Sequence, residues 1–299
     1  MFFKVQRYIF FSSFKSYCQE KIVFLHKYNF FLRGKANSLK IRLMKLTFLG
    51  TGTSQGVPVI GMDTPVARSR DKRDKRLRTS ALLSWGGVNV NIDCSPDFRQ
   101  QMLRHRVQHL EAILFTHEHA DHTAGMDDIR PFVLKQGDMP IYGLPRVIAQ
   151  LRIRFAYIFA TENRYAGAPS VMATEVEAHT PFTLFGKEVV PIAVEHGTLP
   201  ILGYRIGNLA YITDAKYITD TELSKLHKVD TLVLNALRKA PHPTHLNIEE
   251  ALAIVKEVKP RQTFFTHISQ TMGLHAKVQK ELPPHVFLAY DNLTIVVKD

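Results

Sequence analysis

Apolar and polar positions alternate in short blocks from Met44 onward, and the blocks change period as they go. Runs rich in Leu, Val, Ile and Phe predict strands over 45–49, 81–85, 88–92 and 112–115. Gly86-Gly87 between the second and third is a hairpin signal. Pro96 opens a helix in which Phe98, Met102 and Leu103 recur at helical spacing, and a longer helix is expected over 144–158. The stretch 161–170 is polar, with Gly167 and Pro169, and reads as a lid or insertion loop. Beyond it, strands are expected over 188–194, 202–206, 210–213, 231–234, 262–265 and 294–297, and helices over 220–227, 248–258 and 275–282. Asn247 with Glu250 resembles a capping box at the start of the second of these helices. Hairpins mixed with βα units in both halves predict an α/β chain of two facing sheets with helices on the outer faces. Without a short-period repeat or a low-complexity linker, residues 44–299 read as one catalytic domain.

Composition changes this picture only at the N-terminus. The chain has 299 residues, 45% hydrophobic and 22% charged, which is ordinary for a globular protein with a core large enough to need no staples. Cys18 and Cys94 are its two cysteines, too few for a disulfide framework or a Cys-based zinc site, and a reducing cytoplasm is the compartment that fits. The formal charge of +12 suggests a nucleic-acid binder, but residues 1–43 hold nine Lys/Arg against Glu20 alone, so +8 of it sits there. The body is only mildly basic, which argues against a broad phosphate-tracking surface. Those first 43 residues also hold eight Phe, and Lys or Arg interrupts every apolar run before it reaches membrane-spanning length. They read most simply as a mis-called start upstream of Met44; if expressed, they are expected to form a membrane-surface or partner-binding tail.

The chemistry is concentrated at Thr116-His117-Glu118-His119-Ala120-Asp121-His122, directly after the apolar run at 112–115. Three imidazoles and a carboxylate crowded at the mouth of a strand would be costly to bury unless something bound them, and divalent metal is the natural binder. His117 and His119 lie two apart, so in extended chain they point to one side. Further candidates close later strands: Glu195-His196-Gly197, Thr213-Asp214 and Thr266-His267. Open α/β folds gather function at strand ends in this way.

His-x-His-x-Asp-His followed by His, Asp and His in that order resembles the metallo-β-lactamase superfamily, over essentially all of residues 44–299. The resemblance implies an αββα sandwich of two mixed sheets with a two-metal site in its cleft. By that resemblance His117, His119 and His196 hold one metal, Asp121, His122 and His267 the other, and Asp214 bridges them. Imidazole and carboxylate favour Zn, Mn or Fe over Mg or Ca. A pair of such metals can share a hydroxide nucleophile, so no protein nucleophile is needed. Asp93, after the strand at 88–92, is a candidate to orient one imidazole; a turn residue is the alternative.

Gly50-Thr51-Gly52-Thr53-Ser54-Gln55-Gly56-Val57-Pro58 follows the first strand, as an anion-approaching loop or as a plain tight turn. With Arg76-Leu77-Arg78-Thr79-Ser80 and Ile92-Asp93-Cys94-Ser95-Pro96-Asp97-Phe98-Arg99, it resembles the cyclic phosphate phosphodiesterase (PhnP-like) branch and, more distantly, tRNA 3′-processing nucleases. That branch often carries a separate structural zinc. The matching positions here are Met62, Thr64, Ala67 and Gln270, so no structural zinc is expected, and the loop over 61–70 must be held otherwise or be mobile. His245, with His242 as a weaker backup, resembles the family's extra active-site histidine, whose implied role is general acid to the leaving alkoxide; a helix-start histidine is the alternative.

The expectation is a phosphodiesterase acting on small cyclic phosphodiesters through a two-metal bridging hydroxide, with Asp121 and His245 in its catalytic set. No membrane partner is expected, nucleic acid is not favoured, and a homodimer is compatible with the sequence. Three rivals remain. A tRNA-end nuclease needs a basic binding element, for which Arg152, Arg154 and Arg164 are a thin substitute. A glyoxalase II-like thioesterase leaves the glycine loop unexplained. A non-enzymatic metal-binding protein leaves the full ligand set without a purpose.

Overall fold

The computed structural model describes residues 43–298, and the readings made for the segment upstream of Leu43 lie outside the described residues. Two seven-stranded sheets form. The first is built from β1 (Leu43–Gly50), β2 (Ser80–Trp85), β3 (Val88–Ile92), β4 (Ala112–Leu114), β5 (Met139–Gly143), β6 (Val171–Glu175) and the last strand, β14 (Thr294–Lys298), in the order β14-β1-β2-β3-β4-β5-β6. The second holds β7 (Phe182–Leu184), β8 (Lys187–His196), β9 (Leu199–Ile206), β10 (Leu209–Tyr211), β11 (Thr231–Asn235), β12 (Gln262–Thr266) and β13 (Val286–Leu288), in sequential order. Both sheets are mixed. Strands β1 to β3 and β7 to β10 pair antiparallel; β3 to β6 and β10 to β13 pair parallel.

Period-two alternation explains why the sheets stack. Leu83, Leu114 and Val233 enter the layer between the sheets, while their neighbours Leu82, Ile113 and Leu232 face outward. The inner layer joins Phe48, Leu83, Ile92 and Leu114 to Leu202, Tyr204, Val233 and Phe264. Each such fully buried side chain contributes roughly 1.5–3 kcal/mol relative to exposure. Helices cover the outer faces. Over the first sheet lie α2 (Phe98–His105), α4 (Arg130–Gln136) and α5 (Pro145–Arg154), through Phe98, Met102, Phe132, Ile148 and Leu151. Over the second lie α7 (Asp220–Ser224), α8 (Ile248–Val258) and α9 (His275–Val278), through Leu223, Ala251, Val258 and Val278. The remaining short helices are α1 (Pro65–Arg68), α3 (Ala120–Thr123) and α6 (Ala156–Phe159). The αββα sandwich is therefore present. No helix among the described residues is long and apolar enough to cross a membrane.

Local signals hold where the turn chemistry is specific. Gly86 and Gly87 both take positive φ, as a tight two-residue hairpin turn requires, and Trp85 pairs with Val88 across it. Asn247 and Glu250 form both bonds of the capping box. The helix expected over 144–158 is instead two, because Phe155 leaves helical geometry (φ −119°, ψ 42°) and turns its ring into the outer core. The helix expected over 275–282 continues beyond Val278 only as a 3-10 turn, and the one expected over 220–227 ends at Ser224.

Candidate metal centre

Most functional side chains in the cleft leave the C-terminal ends of strands, while His119, Asp121 and His122 lie in the loop and short helix after β4 and His245 in the loop before α8. Asp93 follows β3, Thr116 and His117 follow β4, His196 ends β8, Asp214 follows β10 and His267 follows β12. Asp93, Asp214 and His267 all have positive φ (61°, 58° and 54°), a conformation that costs a non-glycine residue of order 1–3 kcal/mol unless the surroundings enforce it. Such turns concentrate where a side chain must be aimed, and here they fall at three of the strand mouths.

The seven residues of the expected ligand set converge. Ligand atoms of His117, His119 and His196 lie within 4.8 Å of one another, and so do those of Asp121, His122, Asp214 and His267. His122 Nε2 is 3.2 Å from Asp121 Oδ2 and 3.3 Å from Asp214 Oδ2. His267 Nε2 is 3.0 Å from Asp214 Oδ1 and 3.6 Å from Asp121 Oδ2. Asp214 thus faces the second group with both oxygens, and it also falls within 4.8 Å of His196 and His245 as a third cluster. His117, His122, Asp214 and His267 are almost wholly buried, whereas His119 opens to solvent.

The buried nitrogens test whether metal fits. His117 Nε2, His122 Nε2 and both ring nitrogens of His267 lack a hydrogen-bond partner among the described residues. A buried polar atom left unpaired costs about 1–3 kcal/mol, and the Nε2 atoms of His122 and His267 face carboxylate oxygens at 3.0–3.6 Å across the cleft, so these nitrogens suit lone pairs meant for cations. The donor set, imidazole with carboxylate, suits a divalent transition metal.

The far sides of these groups are well held. Asp93 is fully buried and accepts hydrogen bonds from His122 Nδ1 (2.7 Å), Thr116 N (2.8 Å) and Thr116 Oγ1 (2.9 Å). That leaves His122 Nε2 free toward Asp121 and Asp214, and it is the orienting role considered for Asp93. His196 Nδ1 donates to the Thr244 carbonyl at 2.8 Å, and Thr213 Oγ1 donates to Asp214 Oδ2 at 2.6 Å. Glu118 takes an ion pair from Arg146, while Arg154 donates to the Glu118 carbonyl (2.9 Å) and to Thr123 Oγ1 (2.7 Å), pinning the loop from outside.

Charge follows from this packing. Burial works to raise the carboxyls of Asp121 and Asp214, yet neighbouring imidazoles outweigh it and hold both well below the usual range. Burial works to lower His122, but Asp121, Asp214 and Asp93 surround it and raise it. His117 and His119 are pushed down, first by burial and then by neighbouring histidines.

His245 stands at the rim. Its Nε2 is 3.1 Å from Asp214 Oδ1, and its Nδ1 is 2.9 Å from Thr244 Oγ1 and 3.1 Å from His242 Nδ1. Burial lowers its imidazole to about 4, against the pull of the Asp214 hydrogen bond.

Two expectations change. The N–H groups of Gly52, Thr53, Gly56 and Val57 already donate to Leu77, Ile268, Thr53 and Arg76 carbonyls, so they are not available to an anion. A Cβ at Gly50 would lie 2.0 Å from the Arg78 carbonyl and one at Gly52 3.0 Å from that of Leu77, so these glycines serve close backbone approach. Likewise the proposed basic grip is mostly engaged. Arg154 pins the loop, Arg152 stacks 4.8 Å over Phe159, and Arg164 donates to the carbonyls of Ala168 and Pro169. The loop over 61–70 is held by hydrogen bonds at the four diverged positions. Gln270 accepts from Val59 N (2.6 Å) and donates to Thr64 Oγ1 (2.8 Å) and the Met62 carbonyl (3.4 Å).

A model of the beta-lactamase superfamily domain matches residues 88–268. A crystal structure of a diphosphatase from the PhnP family is 38% identical, with a TM-score of 0.80, over 86% of this chain and 98% of that one. An octanoyltransferase of Porphyromonas gingivalis is 39% identical over 258 residues, which are 86% of this chain and 52% of that protein. The chain spans about half the length of that curated relative. The short form of human tRNase Z shares the fold, at 18% identity and a TM-score of 0.58, over 85% of this chain and 100% of that one.

Proposed function

The chain belongs to the metallo-β-lactamase superfamily of hydrolases, in its PhnP-like branch, and from that premise we propose that it hydrolyses small phosphodiesters, cyclic ones included, at a two-metal centre. The observation that carries the reading is the convergence of seven donors, with buried imidazole nitrogens that lack hydrogen-bond partners, from four separate stretches of chain. In this reading His117, His119 and His196 seat one cation, Asp121, His122 and His267 the other, and Asp214 lies between. Bound there, two divalent cations supply water ionised at neutral pH and neutralise charge on the phosphoryl oxygens.

The residues around the cations do the rest. Asp93 fixes the His122 tautomer, so that Nε2 keeps its lone pair for the cleft. The Thr244 carbonyl does the same for His196. Arg146 and Arg154 hold the His-rich loop against the pull of its own buried charge. His245 is the proton carrier for the leaving oxygen. Burial holds its imidazole down, at about 4, in the free chain; the negative charge of a bound phosphodiester favours the protonated form, and the proton is taken from solvent as the substrate binds. The reaction belongs in the cytoplasm, where the buried thiol of Cys94 stays reduced.

The diphosphatase relative supports a second reading, in which the bond broken is a phosphoanhydride. One panel separates these readings and their rivals: metal-loaded protein with a cyclic phosphodiester, a bis-aryl phosphodiester, a diphosphate-linked substrate, a thioester, octanoyl transfer and a tRNA precursor. Turnover of the phosphodiesters is expected. Turnover of the diphosphate alone moves the assignment to the second reading, and activity only on the thioester or in acyl transfer overturns both.

A further inference from the structure

The basic charge of the body is gathered in one place. Residues 68–78 hold seven Lys/Arg against Asp71 and Asp74, or +5, whereas residues 44–299 as a whole carry only +4. This segment walls a cavity of about 620 Å³, lined by Lys72, Arg73, Lys75, Arg104, Tyr290 and Asp291 among others, and none of the metal-centre residues lines it. If roughly equant, such a space is about 9–11 Å across, comparable to the Debye length of ~8–10 Å at 0.15–0.1 M salt, so its lining charges act on an occupant together.

The cations are unevenly committed. Arg73 is paired with Asp71 at 2.7 Å, and the Lys75 ammonium caps the Ala67 carbonyl at 2.6 Å. Arg76 is buried and donates to Thr51 Oγ1 (2.8 Å) and the Ala289 carbonyl (2.5 Å). Lys72, by contrast, is exposed and has no ion pair among the described residues, and Arg104 comes no nearer than 4.0 Å to a carboxylate, Asp291. Asp291 is the one acid in the lining, and it is turned inward, with one oxygen accepting from Thr51 Oγ1 and the other from Leu77 N, both at 2.8 Å. The protein therefore satisfies its own acid with neutral donors and leaves cations facing the space. Val57, Leu77 and the partly buried Tyr290 ring add apolar and aromatic surface. The volume suits a small ligand. With Asp71 offsetting Arg73, five cations against two acids leave a net charge of +3 around the space, which suits a multiply charged anion better than a single charge.

We infer that this cavity binds the di- or triphosphate group of a small molecule at a site separate from the metal centre. The test is equilibrium dialysis of the metal-loaded full chain against inorganic triphosphate, ATP and adenosine, with the Lys72→Glu/Arg104→Glu protein alongside. Capture of metal by the phosphates is common to both proteins and cancels in the comparison. Wild type is expected to bind triphosphate and ATP, and the double variant to bind them at least tenfold more weakly with phosphodiester turnover unchanged. The more conservative Lys72→Gln/Arg104→Gln pair should lose less. ATP binding more tightly than triphosphate, with the difference removed by Tyr290→Ala, assigns a nucleotide; equal binding assigns the phosphate chain alone. No retention of triphosphate by wild type at millimolar concentration, equal affinity in the double variant, or adenosine binding as tightly as ATP would each overturn the site. The inference does not rest on the reaction proposed above, so a chain inactive on phosphodiesters that binds triphosphate in this way still upholds it.

Discussion

Replacing Asp93 by Asn separates two roles that the residue combines. Its positive φ of 61° is a conformation that Asp and Asn both tolerate, so the turn at the end of β3 survives the change. The hydrogen bonding does not. The carboxylate accepts from Thr116 N and Oγ1 and from His122 Nδ1 at once. An amide oxygen can still take the Thr116 N–H, but the amide NH2 then meets the His122 Nδ1–H donor to donor. The imidazole must rotate or shift its proton to Nε2, the nitrogen that lies 3.2–3.3 Å from Asp121 and Asp214. Loss of one buried charge-assisted bond costs about 1.5–3 kcal/mol. At 1.4 kcal/mol per decade this is roughly a 10–100-fold loss in affinity at the seat formed by Asp121, His122 and His267, in the range known for groups that orient metal-bound imidazoles. Zinc titration against a chromophoric chelator measures it, and the imidazole resonances of the zinc-loaded protein report which nitrogen keeps the proton. The other seat should keep its affinity within a few-fold. Wild-type affinity at both seats, with His122 still protonated on Nδ1, would refute the reasoning and leave Asp93 a turn residue.

Other consequences are as specific. Asp214→Ala should abolish hydrolysis and loosen at least one metal by more than tenfold, and unchanged metal content and rate would exclude the bridging position. His245→Ala should slow turnover at least tenfold in kcat while metal occupancy by elemental analysis stays at the wild-type value; metal loss would make it a ligand in the His196–Asp214 cluster instead. Gln270→Ala removes the three hydrogen bonds that hold residues 59–64 and should expose that loop to proteolysis with a Tm fall of a few degrees. Burial, aided by Arg76, lowers the imidazole of His275 to about 4, below the ~6.5 of an unfolded chain. The unfolded state therefore takes up a proton that the folded state refuses. The stability this contributes is whole above pH 6.5 and is lost as pH falls toward 4, so Tm should drop across that window, and less steeply in His275→Gln.

The metal centre was legible because its chemistry lies in side chains whose presence is costly. His117, His119, Asp121 and His122 interrupt a pattern in which the preceding residues are wholly apolar, and His196, Asp214 and His267 each stand where a predicted strand stops. The two-sheet architecture was legible for the same reason, since a run such as Leu232-Val233-Leu234 must bury both faces. What escaped has a common cause in the backbone. β5 contains Pro140 and follows Gly137-Asp138, so it reads as a turn, yet it pairs in parallel register with β6 from Met139 to Gly143. β6 has no buried position and β7 is only three residues long, so neither has the length of apolar run that marks a strand. The carbonyl of Thr244 orients His196 and that of Glu118 anchors Arg154, and no side chain announces either. Gly50 and Gly52 show an ambiguity of the opposite kind, resolved in favour of the tight turn. Glycine signals that backbone must come close to something, and the sequence does not say to what; here the partner is the Arg76–Arg78 segment rather than a phosphate. The same close approach places Arg76 in the structure. The close packing brings its guanidinium under Thr51, and the Thr51 carbonyl accepts from Ile268 N, one residue beyond His267. The glycine loop therefore serves the metal centre by bracing a ligand's strand end, through contacts that any residue with a side chain at position 50 would push apart.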